Sequence, residues 1–162
     1  MRKPVLYVLC GIPASGKTTW ATNFIKGHRD EQEIHYVSRD SIRFKLVDSQ
    51  EEYFSHEDEV FRLFSSIIAE GLRANFDVIA DATHLSKKSR AKLIRAIDII
   101  FSDYNIIYVY FDISLDVCLK RNILRQGREQ VPEEAICSMY NNMQVPQKEE
   151  DSRCIGVWEI KI

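Results

Sequence analysis

The sequence predicts an α/β fold in which a parallel β-sheet lies between two layers of helices. Three short stretches (residues 5–10, 76–81 and 105–112) are almost continuously apolar, as strands covered on both faces are. Stretches with apolar residues at helical spacing separate them along the chain. Alternating strands and helices form parallel sheets with right-handed crossovers, which bring the carboxyl ends of all strands to the same edge of the sheet. We therefore expect the loops that follow the strands to lie together at that edge.

The five predicted strands are marked with different strength. The strongest are VLYVLC (5–10), FDVIAD (76–81) and NIIYVYFD (105–112), whereas IHYVS (34–38) is shorter and less apolar. Near the carboxyl end, IGVWEI (155–160) alternates in part between apolar and other residues. Partial alternation is typical of a strand with one covered face, so this segment is expected at an edge of the sheet.

Helices are predicted from apolar spacing and from end signals. Two apolar stripes have steps of three or four residues: Val60, Phe64, Ile68 and Leu72 in one helix, and Leu93, Ile97 and Ile100 in the next. In the segment SLDVCLKRNILRQG, Ser114 is a favourable N-cap and Gly127 a favourable C-cap. Pro132 is placed to begin a last helix, PEEAICSMYNNM.

Length and composition predict a single soluble domain that occupies residues 1–162. The chain is 45% hydrophobic, which is enough for a core, and no apolar run approaches the roughly 20 residues that cross a bilayer. The formal net charge of -2 argues against a surface that coats long nucleic acids, although it allows a local basic patch.

The cysteines and histidines predict neither disulfides nor a metal centre. The four cysteines are widely separated along the chain and form no C-x-x-C pair: they are Cys10, Cys118, Cys137 and Cys154. The four histidines are also scattered. We therefore expect reduced, mostly buried thiols and a cytoplasmic protein.

The segment GIPASGKT (11–18) has the pattern G-x-x-x-x-G-K-[ST] in its required place, between a strand and a helix. Backbone N–H groups of such a loop bind phosphates, aided by the positive end of the helix that follows. Lys17 would neutralise charge at the β and γ phosphates of ATP, and the Thr18 hydroxyl would bind Mg²⁺. The residues expected at the nucleotide are Gly11, Ile12, Pro13, Ala14, Ser15, Gly16, Lys17, Thr18 and Thr19.

The segment SRDSIR (38–43) follows the second predicted strand and opens a helix. Its position brings Asp40 to the functional edge, where a carboxylate could accept the proton of an attacking hydroxyl. Arg43 lies three residues further on the same helix face and could hold Asp40 or a phosphate of the acceptor. An aspartate at a helix start is also a common cap, so the segment alone leaves both roles open.

Asp81 ends the strand in the segment VIADATH (78–84). A carboxylate at such a strand end can hold a magnesium-bound water, or an arginine that faces the donor phosphates. The other interpretation is an aspartate that only begins the next turn.

Arginines are concentrated in the segment KRNILRQGR. Arg121 and Arg125 lie four residues apart, on one face of the predicted helix, and Arg128 follows in the loop. A helix of this kind that closes over a triphosphate would stabilise the transferring phosphoryl group and exclude water. The same pattern also describes a charged helix face exposed to solvent.

Together these segments resemble the 5′-hydroxyl polynucleotide kinase family. The matching elements are GIPASGKTTWA, RDSIR, DATHLS, KRNILRQGREQVP and SMY, which occur in the family's order and span most of the chain. The resemblance implies a P-loop kinase fold with a five-stranded parallel sheet in the order 2-3-1-4-5 and an arginine-bearing lid. It also implies ATP and Mg²⁺ as cofactors.

The resemblance further implies a role for individual residues. Asp40 corresponds to the family's general base toward the 5′-hydroxyl, and Arg43 to the arginine that binds the acceptor's phosphate. Asp81 corresponds to an aspartate beside the acceptor site. Arg121 and Arg125 correspond to lid arginines over the donor.

Two residues depart from the family pattern. Ala14 stands where glycine is frequent, which matters only if this position has a positive φ. His84 replaces a frequent asparagine in a region that faces the acceptor.

Three functions are compatible with the sequence. The first is an ATP-dependent kinase whose acceptor is the 5′-hydroxyl end of RNA or DNA. The second is a kinase of the same fold that phosphorylates a small hydroxyl-bearing molecule such as a sugar, a nucleoside or an antibiotic. The third is a nucleotide-binding switch without phosphotransfer, which would not require Asp40.

Overall fold

A computed structural model of the protein describes residues 2–48 and 52–162. In these residues a sheet of five parallel strands has the order β2-β3-β1-β4-β5, which confirms the predicted topology. The strands are β1 (Val5–Cys10), β2 (Ile34–Ser38), β3 (Asp77–Asp81), β4 (Asn105–Phe111) and β5 (Cys154–Ile160). Each lies within one residue of its predicted bounds, and β5 is at an edge of the sheet, as expected.

Helices cover both faces of the sheet. They are α1 (Lys17–Gly27), α2 (Arg39–Leu46), α3 (Glu57–Arg73), α4 (Lys87–Asp98), α5 (Leu115–Ile123) and α6 (Glu133–Asn142), with short 3₁₀ helices at Gly127–Glu129 and Lys148–Glu150. Successive residues of β1 point to opposite faces, so Leu6 joins a cluster with α3 and α4, and Tyr7 joins a cluster with α1 and α5. A central strand that is buried on both faces explains the continuous apolar run.

The predicted end of α4 is wrong. The helix ends at Asp98, so Ile100 lies beyond it with 37% of its surface exposed, and Ile94 is a further buried residue of the stripe. Leu93 and Ile97 are buried, as the spacing indicates.

The predicted end of α5 is also wrong. The helix ends at Ile123, and Gly127 begins a 3₁₀ helix with a φ of 59° instead of capping α5. The side chain of Asn122 accounts for the early end, because its amide bonds both the carbonyl and the N–H of Val131. These bonds fold the chain back before another helical turn can form. Arg125 therefore follows the helix rather than lying on its face.

The topology gathers the segments of interest at one edge of the sheet. In the strand register Asp81 is the partner of Leu9 on one side and of Ser38 on the other. The loop after β1, the start of α2 and the end of β3 are consequently neighbours, although more than 60 residues separate the first from the last.

A buried ion pair fixes the segment after β3. Arg90 is 1% exposed and donates to both carboxylate oxygens of Glu150 at 2.9 Å, and also to the carbonyl of His84 at 2.8 Å. Burial opposes ionisation of Glu150, but the hydrogen bonds and charge of Arg90 outweigh it and lower the pKa of this carboxyl.

We expect Arg90→Met to lower the free energy of unfolding by about 3–5 kcal/mol at neutral pH, because the change leaves a buried carboxylate without its cation. The stabilisation by Glu150 is present above the unfolded carboxyl pKa of about 4.3 and is lost as pH falls through the lower folded pKa. Urea unfolding at several pH values measures both effects. Lys120→Met is the matched control, since the Lys120–Asp116 pair is exposed. Equal stability of the two variants would contradict the prediction.

Candidate active site

The loop between β1 and α1 has a shape that depends on particular backbone conformations. Gly16 has a φ of 98° and Ala14 a φ of 64°, so the alanine occupies the left-handed region at a cost of about 1–2 kcal/mol relative to glycine. A Cβ added at Gly11 would lie 2.7 Å from Ser15 Oγ and 2.9 Å from Phe111 Cβ. The departure at Ala14 is thus at a position where φ is positive, and Gly11 is required by close packing.

The loop presents donors that suit an anion. Gly16 is the N-cap residue of α1, and no side chain of the described residues caps this end of the helix. The hydroxyl of Ser15 is buried and has no hydrogen-bond partner within residues 2–48 and 52–162. Unsatisfied N–H groups, the positive helix end and a buried hydroxyl together fit the phosphates of a nucleotide.

Lys17 is held by the loop itself. Its ammonium donates to the carbonyls of Gly11 and Ile12, at 2.9 Å in each case. Burial lowers the pKa of Lys17, while the negative charges of Asp81 and Asp40 act against this shift and the charge of Arg125 adds to it. The charges of two carboxylates and an arginine from three separate segments therefore act on this ammonium.

Asp81 adjoins the hydroxyl of Thr18. Its Oδ2 accepts from Tyr36 Oη and lies 3.4 Å from Thr18 Oγ1. Burial raises the pKa of Asp81, and burial together with the charge and hydrogen bond of Asp81 raises the pKa of Tyr36 to about 12. Hard oxygen ligands of this type suit Mg²⁺, which is usually held by one or two protein oxygens together with phosphates. The pair Thr18–Asp81 fits that requirement on the side of the phosphate loop.

Asp40 is not the cap of its helix. The cap of α2 is Ser38, whose hydroxyl accepts from the backbone N–H of Ser41 at 3.2 Å. The side chain of Asp40 is 65% exposed, and its Oδ1 accepts from Arg43 Nη1 and, at 3.2 Å, from Tyr53 Oη. The capping interpretation of Asp40 is therefore wrong. Within residues 2–48 and 52–162 its hydrogen bonds fall on Oδ1, which leaves Oδ2 to face a substrate.

Glu57 orients the two arginines of this segment. Arg43 bonds its carboxylate through Nε and, at 3.1 Å, through Nη2, and Arg39 Nη2 bonds it at 3.0 Å. Partial burial opposes ionisation of Glu57, but the hydrogen bonds and charges of Arg43 and Arg39 prevail and lower its pKa. Sequence reasoning missed Glu57 and Tyr53. Three acidic residues in the first turn of α3 are typical of any helix start, so no local signal identifies Glu57.

The three arginines of the predicted lid make separate contacts. Arg121 Nη1 donates to the carbonyl of Ala14 at 3.3 Å, which connects α5 to the phosphate loop. Arg125 Nη1 donates to the carbonyl of Glu129 at 3.3 Å. Arg128 Nη2 donates to the carbonyl of Val47 at 2.8 Å and lies over the ring of Phe44, 4.9 Å from its centroid. Arg128 thus connects the lid to α2.

His84 lies deeper than the sequence suggests. It is buried with a φ of 43°, and its Nδ1 lies 2.6 Å from the carbonyl of Leu9, which requires a proton on Nδ1. Its Nε2 has no partner within the described part of the chain. Burial lowers the pKa of His84 to about 4, so the ring is neutral at physiological pH.

One cleft of about 1500 Å³ unites these groups. Its lining includes Pro13 to Thr19, Asp40, Arg43, Asp81, Arg121 and Arg125. Of the predicted nucleotide-binding residues, Gly11 and Ile12 do not line it; they are buried below the loop and offer their carbonyls to Lys17. The cleft can hold a triphosphate at one end and a hydroxyl next to a carboxylate at the other.

Two absences hold for residues 2–48 and 52–162. These residues contain no group of three or more His, Cys, Asp or Glu side chains that could hold a metal ion by themselves. They also include no helix with the length and hydropathy needed to span a membrane. All four cysteines are free thiols, and three of them are buried.

Known proteins resemble this chain in sequence and in fold. The L-seryl-tRNA(Sec) kinase of Methanococcus maripaludis is 29% identical over 143 residues, which are 88% of this chain and 53% of that protein. A chain in the structure of the Pnkp1/Rnl/Hen1 RNA repair complex is 26% identical with a TM-score of 0.75, over 94% of this chain and 48% of that one. Kti12 of Chaetomium thermophilum, in complex with ADP-AlF3, shares the fold at 17% identity with a TM-score of 0.70, over 96% of this chain and 88% of that one.

The chain spans about half the length of the first two proteins, so the comparison concerns one part of each. The family described as an AAA domain, AAA_33, matches residues 6–146. This match covers most of the chain and includes the phosphate loop, Asp40, Asp81 and the lid arginines. The chain therefore belongs to the AAA_33 family and contains a kinase-like domain with a nucleotide-binding P-loop.

Proposed function

We propose that the protein is an ATP-dependent kinase that transfers the γ-phosphoryl group to the 5′-hydroxyl end of a polynucleotide. The observation that carries the proposal is the position of Asp40, whose carboxylate is not used as a helix cap. It lies in the same cleft as Lys17, and its negative charge opposes the lowering of the Lys17 pKa by burial. A nucleotide switch needs the phosphate loop but does not require a carboxylate that faces the same cleft.

The donor side would be formed by the phosphate loop. Lys17 would exchange its two carbonyl partners for oxygens of the β and γ phosphates, while the N–H groups at the start of α1 hold the rest of the triphosphate. Thr18 and Asp81 would hold Mg²⁺, which neutralises charge between these phosphates when bound. The complex of Kti12 with ADP-AlF3 supports ATP as the donor.

The acceptor side would be formed by the start of α2. The free oxygen of Asp40 would accept the proton of the attacking hydroxyl, as a general base does. Arg43 and Tyr53 hold the other oxygen, which fixes the carboxylate toward the cleft. Because Glu57 engages Arg43 through two nitrogens, we assign Arg43 first to the positioning of Asp40, with a phosphate of the acceptor as a further partner.

The lid would act on the group in transfer. The phosphoryl group carries spread negative charge in the transition state and needs cations on its flanks more than covalent help. Arg121, next to the phosphate loop, and Arg125, whose charge acts on Lys17, would provide them. Closure of this segment would also keep water away from the phosphoryl group.

Two relatives support a nucleic-acid acceptor. The 26% identical chain is part of an RNA repair complex, and the 29% identical protein is a kinase of a seryl-tRNA. Both names refer to RNA, and the first agrees with the resemblance to polynucleotide kinases.

We further propose that residues 1–162 act as one kinase domain, and the free thiols support a cytoplasmic location.

A phosphoryl-transfer screen tests this function. The protein would be incubated with γ-labelled ATP and Mg²⁺, together with oligonucleotides that end in 5′-hydroxyl or 5′-phosphate, seryl-tRNA, nucleosides, sugars and antibiotics. We expect label on the 5′-hydroxyl oligonucleotides and none on the 5′-phosphate controls. Label on a sugar or antibiotic alone would establish the small-molecule alternative, and ATP binding without any labelled acceptor would establish the switch.

We expect Arg125→Ala to lower kcat by about 10²–10³-fold, the usual value of one preorganised donor at a developing charge. The affinity for ADP should change much less, because the arginine acts most strongly when charge develops on the moving group. Steady-state kinetics and ADP titration measure the two quantities. Lys120→Ala is the control, since this lysine of α5 is exposed and paired with Asp116. Equal losses in kcat and in ADP affinity would assign Arg125 to ground-state binding instead.

A further inference from the structure

Three aromatic side chains form a cluster at the acceptor end of the cleft: Phe44, Tyr53 and Phe54. All three line the cleft. The ring centroids of Phe44 and Tyr53 are 6.0 Å apart, and those of Tyr53 and Phe54 are 4.6 Å apart, with edge-to-face angles in both pairs. The cluster is therefore a connected surface of ring faces and edges.

The aromatic cluster is not part of the hydrophobic core. None of its rings belongs to the two core clusters of the described residues. Phe54 is 63% exposed, more than any other aromatic side chain among the exposed large hydrophobic residues. An exposed phenylalanine that lines a cleft, rather than the outer surface, has ring surface accessible to a ligand in that cleft.

The aromatic cluster begins directly at Asp40. Tyr53 Oη donates to the Asp40 carboxylate at 3.2 Å, and the Phe54 ring is the next ring beyond Tyr53. In a nucleotide the 5′-hydroxyl and the base are attached to opposite ends of one pentose. A nucleotide with its hydroxyl at Asp40 therefore carries its base on the far side of the pentose, and the rings that begin at Asp40 offer a surface for that base. A monosaccharide at the same point has no base to stack on them.

Arginines accompany the rings. The guanidinium of Arg43 lies 4.9 Å from the Tyr53 centroid and 5.2 Å from the Phe54 centroid, and Arg128 lies over Phe44. Proteins bind single-stranded nucleic acids with aromatic rings and nearby guanidinium groups. The rings stack on the bases, and the cations bind the phosphates.

We propose that the aromatic cluster is a nucleobase subsite, with Phe54 stacking on the base of the nucleotide that carries the acceptor hydroxyl. The inference rests on the proposed function and specifies its substrate as one in which a base adjoins the reactive hydroxyl. Stacking is tolerant of base identity because every base has a π face. The subsite therefore selects nucleotides over other hydroxyl compounds without strict sequence preference.

A double-mutant cycle that combines a substitution of Phe54 with removal of the terminal base from the substrate tests the subsite. Wild type and Phe54→Leu would be compared on a 5′-hydroxyl oligonucleotide and on the same oligonucleotide with an abasic 5′-terminal nucleotide, which keeps the hydroxyl and the phosphates. Leucine retains apolar volume but has no ring face, and Phe54 is exposed enough that folding is not at risk. Tyr140→Leu is the matched control, an exposed aromatic residue of α6 that does not line the cleft.

We expect loss of the terminal base to lower kcat/KM of the wild type on the order of 10-fold, through KM, in line with the energy of one stacked base. Phe54→Leu should show the same loss on the complete oligonucleotide and no further loss on the abasic one. Equal losses on both substrates, or a wild type that does not distinguish them, would overturn the subsite while the kinase function stands. A wild type that phosphorylates neither oligonucleotide would overturn the proposed function and the subsite together.

Discussion

Asp40→Asn is expected to lower phosphoryl transfer by about 10²–10⁴-fold, the usual contribution of a general base. Asparagine preserves the size of the side chain and an oxygen for Arg43 and Tyr53, but it cannot accept the proton of the attacking hydroxyl. The affinity for ATP should remain almost unchanged, because Asp40 lies on the acceptor side of the cleft. Turnover under saturating ATP and a nucleotide titration separate the two quantities.

Ser38→Ala is the matched control for Asp40→Asn. Ser38 is the N-cap of α2, so its loss should cost about 1 kcal/mol of stability while turnover persists. Asp40→Asn should show the opposite result, a nearly unchanged thermal midpoint and a large loss of turnover. Unchanged turnover of Asp40→Asn would remove the catalytic assignment and leave only the P-loop and the lid in support of a kinase.

Lys17→Ala is expected to reduce transfer below detection, a loss of about 10³-fold or more for a cation at the transferring group. The domain should remain folded, because the ammonium bonds two loop carbonyls and lies outside both hydrophobic cores. Burial also lowers the pKa of Lys17, so its removal relieves a desolvation cost that offsets the lost hydrogen bonds.

Lys26→Ala is the control for Lys17→Ala. Lys26 is exposed in the last turn of the same helix, so its loss should affect neither nucleotide binding nor turnover. Turnover and ATP affinity would be measured for both variants at the same protein concentration. Near-wild-type turnover of Lys17→Ala would mean that the loop after β1 does not bind the transferring phosphates.

The architecture could be predicted from the sequence because the three central strands are buried on both faces of the sheet. Continuous apolar runs predict β1, β3 and β4, and partial alternation predicts the edge position of β5. The ends of α4 and α5 could not be predicted from local spacing. In α5 the cause is a contact between the Asn122 side chain and the backbone of Val131, which no periodicity encodes.

The functional residues of the candidate site could be predicted where they lie together in a short sequence motif. These motifs contain Pro13 to Thr19 of the phosphate loop and Asp40, Arg43, Asp81, Arg121 and Arg125, all of which line the cleft. The missed residues are partners that packing brings in from elsewhere. Glu57 reaches Arg43 across 14 residues, and Tyr53 reaches Asp40 across 13 residues. The capping role of Ser38 also became visible only with the geometry of the α2 start.

The most direct test of the central claim is the fate of the γ-phosphoryl group in a single turnover. The protein would be mixed in excess with γ-labelled ATP, Mg²⁺ and a 5′-hydroxyl oligonucleotide, and label in the oligonucleotide would be compared with label in inorganic phosphate. We expect the label on the 5′ oxygen of the oligonucleotide, with little inorganic phosphate, in a reaction that Asp40→Asn slows. Label found only in inorganic phosphate, or ATP bound and left intact, would contradict the assignment of the cleft to phosphoryl transfer between ATP and a polynucleotide end.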